Sequence, residues 1–478
     1  MNTGSRAPVD SAKANGTAPE RLQRLAREHL MLHFSDNAAD ARRDIPVIVR
    51  GEGCHVYDAA GNRYIDGLSG LYCLNLGHSH GDEIGRAAHE QMRRLAYASN
   101  WTVAHPPSIE LASRIAALAP AGLERVFFTS GGSEAVESAW KLAVQWHAAN
   151  GEPARRKAIA RRDAYHGVTL GALSFTGIPV CRTAFEPLAV PTRHVSNTNA
   201  YRHQAGGDEV AFRDALLAEV EDAIRFEGPE TIAMMIAEPV QNAGGCLVPP
   251  PGYWQGLREI TERHGILLCS DEVICAFGRL GTWFGAQRFD YAPDLITFAK
   301  GLTAAHFAMG GLVISDRVAA PFLDGRASYL NGFTFGGHPV GAATALAALE
   351  ITERESVLEN VRANEPVARA ALDSLRDIPI VGDVRGLGHF WAIELVRDQQ
   401  TKEPLEGAAA EWLLKDVLST ELWRRGLICR LDDRADPIVQ IAPPLVADAA
   451  LFDEIAGTLR HGLEVAASRL DERSPVAA

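Results

Sequence analysis

The sequence predicts an α/β protein built from a large domain with a mainly parallel sheet and a smaller α+β domain. In the middle of the chain, short and continuously apolar segments alternate with amphipathic helical segments. That alternation is typical of a parallel sheet covered by helices on both faces. After about residue 345 a long helical stretch is followed by only a few strands, which indicates a second and smaller unit. The 478 residues, 47% of them hydrophobic, suffice for a large core and for two or more domains.

Changes of pattern along the chain predict the domain boundaries. A stretch rich in Ala, Gly, Pro and Ser opens the chain, and a helix near residues 20–32 and a hairpin around Gly61 and Asn62 follow it. We expect a mobile tail, an N-terminal segment that joins the small domain, the large domain and the C-terminal small domain, at residues 1–20, 21–75, 76–345 and 346–478.

The large sheet is predicted from five apolar segments that alternate with helices. They are RVFFT, TIAMMIAE, GILLCSD, DLITFAK and GLVIS, at residues 125–129, 231–238, 265–271, 294–300 and 311–315. HFWAIEL and PIVQIAPP are predicted to form strands of the small domain.

Charge and composition exclude several classes of partner. A net charge of −13 argues against nucleic acid or an anionic membrane as the main partner, because both select for basic surfaces. The first twenty residues lack the apolar core of a secretory signal, and no apolar stretch approaches the roughly 20 residues that span a bilayer. Seven scattered cysteines without a Cys-x-x-Cys pair fit a reducing compartment, so we expect a cytoplasmic protein.

Lys300 ends the segment DLITFAK and is the first candidate for chemistry. An ammonium at the end of a buried strand is costly unless it is neutralised, paired or covalently used. In one interpretation the strand simply ends there and the lysine reaches water, since lysines are mostly exposed. In the other, Lys300 is a desolvated amine with a lowered pKa, suited to forming an imine with an aldehyde.

Asp271 closes the segment GILLCSD and is the second candidate. An Asp at a strand end is often only a turn former or a helix N-cap. In a parallel sheet, however, ligands bind at the carboxyl ends of the strands, and a carboxylate there can hold a proton on a heterocyclic nitrogen. One connecting element separates Asp271 from Lys300, so both side chains are expected to converge on one crevice.

A glycine-rich turn, TSGGSEA, joins a predicted strand to a strong helix. Its glycines allow close backbone approach, Ser133 offers a hydroxyl, and the helix N-terminus favours an anion such as a phosphate. Tyr165 follows another strand and either stacks on a planar ring or belongs to the core.

Other motifs fail. His78 and His80 have ligand-like spacing but no further cluster, so no metal site is predicted. The chain has no P-loop, no Gly-x-Gly-x-x-Gly fingerprint for a nicotinamide cofactor and no Gly-x-Ser-x-Gly nucleophile turn.

Six motifs, taken in their order, closely resemble those of the class III aminotransferases, which are fold-type I enzymes that use pyridoxal 5'-phosphate (PLP). The motifs are TSGGSEAVESAWKLA, DAYHGVTLGA, IAEPVQNAGG, LLCSDEVICAFGRLGTWF, LITFAKGL and GFTFGGHPVG. The resemblance runs from about residue 28 to residue 465 and so covers nearly the whole chain.

The resemblance implies a role for each matching position. Lys300 would carry PLP as an imine and shuttle the proton, and Asp271 would keep the pyridine nitrogen protonated. The implied neighbours of the cofactor are Tyr165 and Val273 on its two ring faces, Gly132 and Ser133 at its phosphate, and Glu238 as a buried acid nearby. Thr334 would bind the phosphate from the neighbouring subunit, which implies a homodimer with shared active sites or a tetramer of two such dimers.

Two segments resemble those of the ω-amine:pyruvate aminotransferases. They place Tyr72 near the substrate, and they make Arg430 a mobile arginine for the acceptor's carboxylate, a role that suits a guanidinium. Relatives that act on 4-aminobutyrate or ornithine usually carry a Glu where this chain has Ala243, which favours pyruvate as the acceptor. Asn331 stands where relatives often carry His.

The resulting hypothesis is a ping-pong aminotransferase that moves an amino group from an ω-amino acid, a diamine or another primary amine to a 2-oxo acid. Other chemistry of the same family stays open, namely that of an aminomutase, a racemase or a decarboxylating transaminase. A non-catalytic binding module with this fold is disfavoured, because such a protein is expected to lose Lys300 or Asp271.

Overall fold

The computed structural model describes residues 18–35, 38 and 44–473. The tail predicted for residues 1–20 lies outside the described residues, except that residues 18–20 begin the first helix. The strands are Ile48–Glu52 (β1), His55–Asp58 (β2), Arg63–Asp66 (β3), Leu123–Thr129 (β4), Lys157–Arg161 (β5), Thr192–Val195 (β6), Ile232–Ala237 (β7), Leu267–Asp271 (β8), Leu295–Phe298 (β9), Gly310–Ser315 (β10), Val381–Leu387 (β11), Phe390–Asp398 (β12), Glu403–Pro404 (β13), Leu427–Ile428 (β14), Arg430–Asp432 (β15) and Ile438–Ile441 (β16).

Helices fill most of the remaining chain. The α-helices are Ala18–His29 (α1), Ser69–Tyr72 (α2), Gly81–Arg94 (α3), Pro106–Leu118 (α4), Gly132–Ala149 (α5), Leu170–Phe175 (α6), Pro179–Arg182 (α7), Glu209–Glu227 (α8), Tyr253–Arg263 (α9), Gly285–Arg288 (α10), Asp316–Leu323 (α11), Pro339–Arg354 (α12), Val357–Asp373 (α13), Gly407–Trp412 (α14), Ser419–Arg424 (α15) and Ala449–Arg473 (α16). Short 3₁₀ turns run over Thr183–Phe185, Pro229–Thr231, Lys300–Thr303 and Ser374–Asp377, and a π-helical turn over Leu413–Leu418.

The large sheet has seven strands in the order β4-β10-β9-β8-β7-β5-β6. Strand β10 runs antiparallel to both of its neighbours, and the other pairings are parallel. This confirms the predicted α/β class with a mainly parallel sheet, and each of the five apolar segments contributes one strand. The inner strands are buried on both faces, as β7 illustrates: Met234 and Ile236 pack in one hydrophobic cluster, whereas Met235 and Ala237 pack in another.

Two smaller sheets hold the ends of the chain. One has the order β1-β2-β3-β14, in which β14 pairs in parallel with β3 of the predicted hairpin. The other is antiparallel, with the order β11-β12-β16-β15 and β13 beside β12. Chain segments before and after the large sheet are therefore joined by strand pairing. The domain boundaries given above stay predictions.

Candidate active site

A cavity of about 400 Å³ opens at the carboxyl ends of the parallel strands of the large sheet. Ligands are expected at this edge, because the loops and helix N-termini that follow parallel strands converge there. The cavity brings together seven of the residues predicted from the sequence: Gly132, Ser133, Tyr165, Glu238, Asp271, Val273 and Lys300. The other three, Tyr72, Arg430 and Thr334, lie outside its lining.

Asp271 is the last residue of β8, and both oxygens of its carboxylate have hydrogen-bond partners. One oxygen, Oδ1, accepts hydrogen bonds from the Thr297 hydroxyl at 2.9 Å and from the backbone N–H of Val273 at 3.2 Å. The other oxygen, Oδ2, lies 2.6 Å from Nδ1 of His166. Thr297 is the register partner of Asp271 on the neighbouring strand β9, so strand pairing itself orients this carboxylate.

His166 is a residue of this site that the sequence analysis did not single out. Its side chain is buried and lines the cavity beside Tyr165. Because Nδ1 faces a carboxylate, this nitrogen carries a proton and donates the hydrogen bond to Asp271. Its position directly after Tyr165 was visible in the sequence, but its contact with Asp271 depends on two strands that are distant in the chain.

Lys300 begins a 3₁₀ turn just beyond the end of β9 and faces the cavity. Its amine makes no hydrogen bond or ion pair with any described residue. Burial lowers the pKa of this amine, against the attraction of the Asp271 carboxylate. The residue also has a positive φ of 37°, which is unfavourable for a side chain with a Cβ. A desolvated and unpartnered amine on a strained backbone favours the second interpretation of Lys300, that of an imine-forming group.

The glycine-rich turn connects β4 to α5, and Gly132 is the first residue of the helix. A Cβ added to Gly132 would lie 2.9 Å from Cγ1 of Val273, so the close approach of these two segments requires glycine. The Ser133 hydroxyl accepts a hydrogen bond from the backbone N–H of Val168. The N–H groups in the first turn of α5 and the Ser133 hydroxyl therefore lie side by side at the edge of the cavity.

Glu238 lies just beyond β7, is 4% exposed and organises the backbone around the cavity. Its two oxygens accept hydrogen bonds from the backbone N–H groups of Tyr165 at 3.3 Å and Asn242 at 2.9 Å. Burial raises the pKa of this carboxyl group, and the nearby Asp271 raises it further.

Tyr72 and Arg430 form a second group of residues next to the cavity. The buried Tyr72 hydroxyl donates a hydrogen bond of 2.5 Å to Oε1 of Gln440. Gln440 is the register partner of Arg430 across strands β15 and β16. Burial raises the pKa of the Tyr165 hydroxyl and lowers the pKa of the Lys300 amine, and the charge of Arg430 acts to lower both, so Arg430 lies within electrostatic reach of two residues that line the cavity.

The Arg430 guanidinium has an internal partner. Its Nε and Nη2 atoms lie 3.0 and 2.9 Å from Oδ2 of Asp432, which follows two residues later on the same strand. Ala243, by contrast, is a buried apolar residue and offers no side-chain partner. The sequence analysis did not identify Asp432, because an Asp in a run of charged residues reads as part of a solvated loop.

Thr334 lies on an exposed segment away from the cavity. Large apolar side chains are exposed around it: Trp101 (68% exposed), Leu330 (85%) and Phe335 (60%). Asn331 points inwards instead, and its amide donates to the hydroxyls of Ser138 and Tyr329 at 2.9 Å.

Comparison with known proteins decides the family. The family model "Aminotransferase class-III" matches residues 38–463. The chain belongs to the class III aminotransferases. This confirms the resemblance seen in the motifs, and with it the fold class and the activity of a PLP-dependent transaminase.

Individual relatives cover nearly the whole chain. A probable aminotransferase of Mycobacterium tuberculosis is 48% identical over 92% of this chain and 94% of its own length. The putrescine–pyruvate aminotransferase of Pseudomonas aeruginosa is 36% identical over 93% of this chain and 96% of its own length. Among solved structures, the omega-transaminase of Pseudomonas jessenii in complex with PMP has a TM-score of 0.87 and 32% identity, over 97% of this chain and 100% of that one.

Two features are absent from the described residues of this class III aminotransferase. No helix among them is both long and apolar enough to cross a membrane. Within the same residues, no group of three or more His, Cys, Asp or Glu side chains is arranged to hold a metal ion.

Proposed function

We propose that this aminotransferase moves an amino group from an ω-amino acid, a diamine or another primary amine to a 2-oxo acid, with pyruvate as the acceptor. The carrying observation is that the amine of Lys300 and the carboxylate of Asp271 face one cavity, with the Arg430 guanidinium within electrostatic reach. The first two groups suit amine chemistry on an aldehyde cofactor, and the third suits a substrate carboxylate.

The donor set of the cavity fits PLP. Lys300 supplies an unpartnered amine for the aldehyde, and Asp271 supplies a carboxylate for the pyridine nitrogen. The first turn of α5 and the Ser133 hydroxyl suit the phosphate, and Tyr165 and Val273 line the space for the ring. When bound, PLP supplies an aldehyde that captures the amino group and a ring that takes up the electron pair of the broken C–H bond.

Each residue then has a defined task. The Lys300 amine would take the proton from the carbon that bears the amino group and would deliver it to the former aldehyde carbon of the cofactor, and burial favours this base role because it lowers the pKa of the amine. Asp271 holds a proton on the ring nitrogen, and the Thr297 and His166 bonds keep its carboxylate in that orientation. Glu238 fixes the backbone of Tyr165 and so the position of its ring.

The proposed acceptor is supported by charge. A 2-oxo acid brings a carboxylate next to its reacting carbonyl, and Arg430 can bind that group through two parallel hydrogen bonds. The buried Ala243 leaves no acid at the position where some relatives carry Glu. The similarity to a putrescine–pyruvate aminotransferase supports the same pair of substrate classes.

A second copy of the chain is proposed to complete the site. The apolar side chains of Trp101, Leu330 and Phe335 surround Thr334 on an exposed surface, which is the composition of a protein interface. Docking two copies through this surface would bury it and would bring Thr334 to the phosphate end of the partner's cavity.

The test is an absorbance spectrum of the purified holoenzyme, recorded while single amines are added without an acceptor. A visible band that gives way to a near-ultraviolet band, and that returns on addition of pyruvate, is the expected result. The size of the spectral change ranks diamines, ω-amino acids and aralkyl amines as donors. Lys300→Ala is the control, because it lacks the amine that the reaction needs.

Two results would contradict the proposal. A purified protein that cannot be loaded with PLP would rule out a PLP-dependent reaction. Complete turnover of an amino acid without any 2-oxo acid would instead indicate an aminomutase or a racemase, because neither of these reactions consumes an acceptor.

A further inference from the structure

The carboxylate of Asp432 is shared between two arginines at the substrate side of the cavity. Its Oδ2 atom accepts hydrogen bonds from Nε of Arg430 at 3.0 Å and from Nη2 of Arg434 at 2.6 Å, and Nη2 of Arg430 lies 2.9 Å from the same oxygen. Its Oδ1 atom accepts from Nε of Arg434 at 2.8 Å and from the backbone N–H of Arg434 at 3.1 Å. Asp432 therefore receives four hydrogen bonds, three of them from Arg434.

The cluster carries one uncompensated positive charge. Two guanidiniums face one carboxylate, and their side chains are largely buried, with exposures of 23% for Arg430, 19% for Arg434 and 8% for Asp432. The neighbouring Asp433 makes no ion pair with either arginine among the described residues. A partly buried site with a net charge of +1 is suited to one more carboxylate.

The two arginines are not equivalent. Arg430 is the one within electrostatic reach of Lys300, Tyr165 and Tyr72. Arg434 makes three hydrogen bonds with Asp432, and its Nη1 atom lies 3.9 Å from Sγ of Cys181. Arg430 is thus placed to change partners, whereas Arg434 is placed to stay.

A change of partner is feasible because of Arg434. A buried carboxylate that loses its only cation is strongly destabilising. If Arg430 turned to a substrate, Asp432 would still keep three hydrogen bonds and one full positive charge from Arg434. The cost of releasing Arg430 is therefore low.

We propose that Asp432 is an internal carboxylate that holds Arg430 while the substrate in the cavity has no carboxylate, and that Arg434 holds Asp432 when Arg430 binds a 2-oxo acid. This inference rests on the proposed function, in which Arg430 binds the acceptor's carboxylate. Asp432 and Arg434 are positioning residues, because both act on the substrate through Arg430.

The test compares the two half-reactions of the holoenzyme by stopped-flow absorbance in Asp432→Asn, with Asp433→Asn as the matched control. In Asp432→Asn, Arg430 no longer competes with an internal charge, so the dissociation constant for pyruvate falls about three- to tenfold. The half-reaction with an uncharged aralkyl amine slows, because a released guanidinium remains near its apolar group. Asp433→Asn leaves both half-reactions within about twofold of the wild type.

Arg434→Gln provides a second variant with the opposite expectation. Asp432 then depends on Arg430 alone, so pyruvate binds more weakly while the half-reaction with the aralkyl amine stays unchanged. Calorimetric titration with propionate, which has the carboxylate but no reactive carbonyl, gives a readout apart from activity. Propionate is expected to bind more tightly to Asp432→Asn and more weakly to Arg434→Gln.

Arg430→Ala distinguishes failure of the proposed function from failure of the inference about Asp432 alone. If this variant keeps wild-type affinity for pyruvate, the proposed role of Arg430 fails and the inference fails with it. If Arg430→Ala loses pyruvate affinity but Asp432→Asn binds pyruvate and propionate no more tightly than the wild type, only the inference is overturned. Equal losses in both half-reactions of Asp432→Asn would likewise overturn it and reduce Asp432 to a structural role.

Discussion

The two sides of the cavity are built in different ways. The strand-end side, formed by Asp271, Lys300 and the turn at Gly132 and Ser133, comes from strands β4, β8 and β9 of one sheet and the turns directly after them. The arginine side, formed by Tyr72, Arg430, Asp432 and Gln440, joins segments that are far apart, since Tyr72 and Gln440 are separated by 368 residues. The first side is fixed by regular secondary structure, and the second by contacts between distant loops and strands.

The difference predicts where substitutions act. On the strand-end side each group has one position and one set of partners, so its loss should affect both half-reactions alike. On the arginine side the groups are shared between alternative partners, as Asp432 is, so their loss should separate one substrate from another. The strand-end side is expected to serve the common chemistry, and the arginine side the choice of substrate.

Lys300→Ala is expected to have the largest effect and to abolish transamination, lowering kcat by more than about a thousandfold. Among the described residues, no other amine lines the cavity to form the imine and move the proton. Both half-reactions should be lost together, and single-turnover absorbance measures each of them. Circular dichroism controls for folding; a folded variant with substantial turnover would contradict the assignment.

Asp271→Asn is expected to have the second-largest effect and to lower kcat by about a hundredfold to a thousandfold in both half-reactions. An amide cannot hold the ring nitrogen in its protonated form, although it keeps the size of the carboxylate and so allows cofactor binding. Cofactor content measured by absorbance separates loss of binding from loss of chemistry. Near-normal rates would remove Asp271 from its role, and a loss confined to one substrate would break the contrast between the two sides.

The pH dependence of cofactor loading sharpens the comparison further. Only a neutral amine attacks an aldehyde, and burial lowers the pKa of Lys300 from its ordinary value of 10.5. The rate at which cofactor-free protein takes up PLP should therefore rise with pH and reach half of its plateau below pH 10.5. Borohydride trapping at intervals measures this rate. A midpoint at or above pH 10.5 would mean that Lys300 is not desolvated.

Gln440→Leu should have the smallest effect, about a two- to fivefold rise in KM for the amine donor with kcat nearly unchanged. The substitution removes the acceptor of the buried Tyr72 hydroxyl and the donor to Asn242, and the loss of a buried hydrogen-bond partner costs about 1–3 kcal/mol. The double variant Tyr72→Phe with Gln440→Leu removes both partners of the Tyr72–Gln440 hydrogen bond. It should recover part of the free energy of unfolding that Gln440→Leu loses, as measured by urea denaturation. Additive losses would show that the two side chains are not coupled.

The fold was largely predictable from the sequence, for a physical reason. Strands such as β7 are buried on both faces, so nearly every residue must be apolar, and the segment stands out from its surroundings. Asp271 and Lys300 end two such segments, and strand ends of a parallel sheet meet at one edge. The strand-end side therefore followed from local patterns and from the family resemblance.

Other contacts were not predictable. Nothing near His166 indicates that it meets Asp271, and nothing near Gln440 indicates that it meets Tyr72. Such pairs depend on which strands become neighbours and in which register, and these choices are made by the packing of the whole chain.

The sequence by itself thus determined the fold class, the family, and the amine and the carboxylate of the strand-end side, because burial of strands and motif order leave a local trace. Only the tertiary structure placed Asp432 between two arginines and tied Tyr72 to Gln440. Hydrogen bonds and ion pairs between distant segments leave no periodic signal in a sequence, since each partner taken alone is an ordinary polar residue.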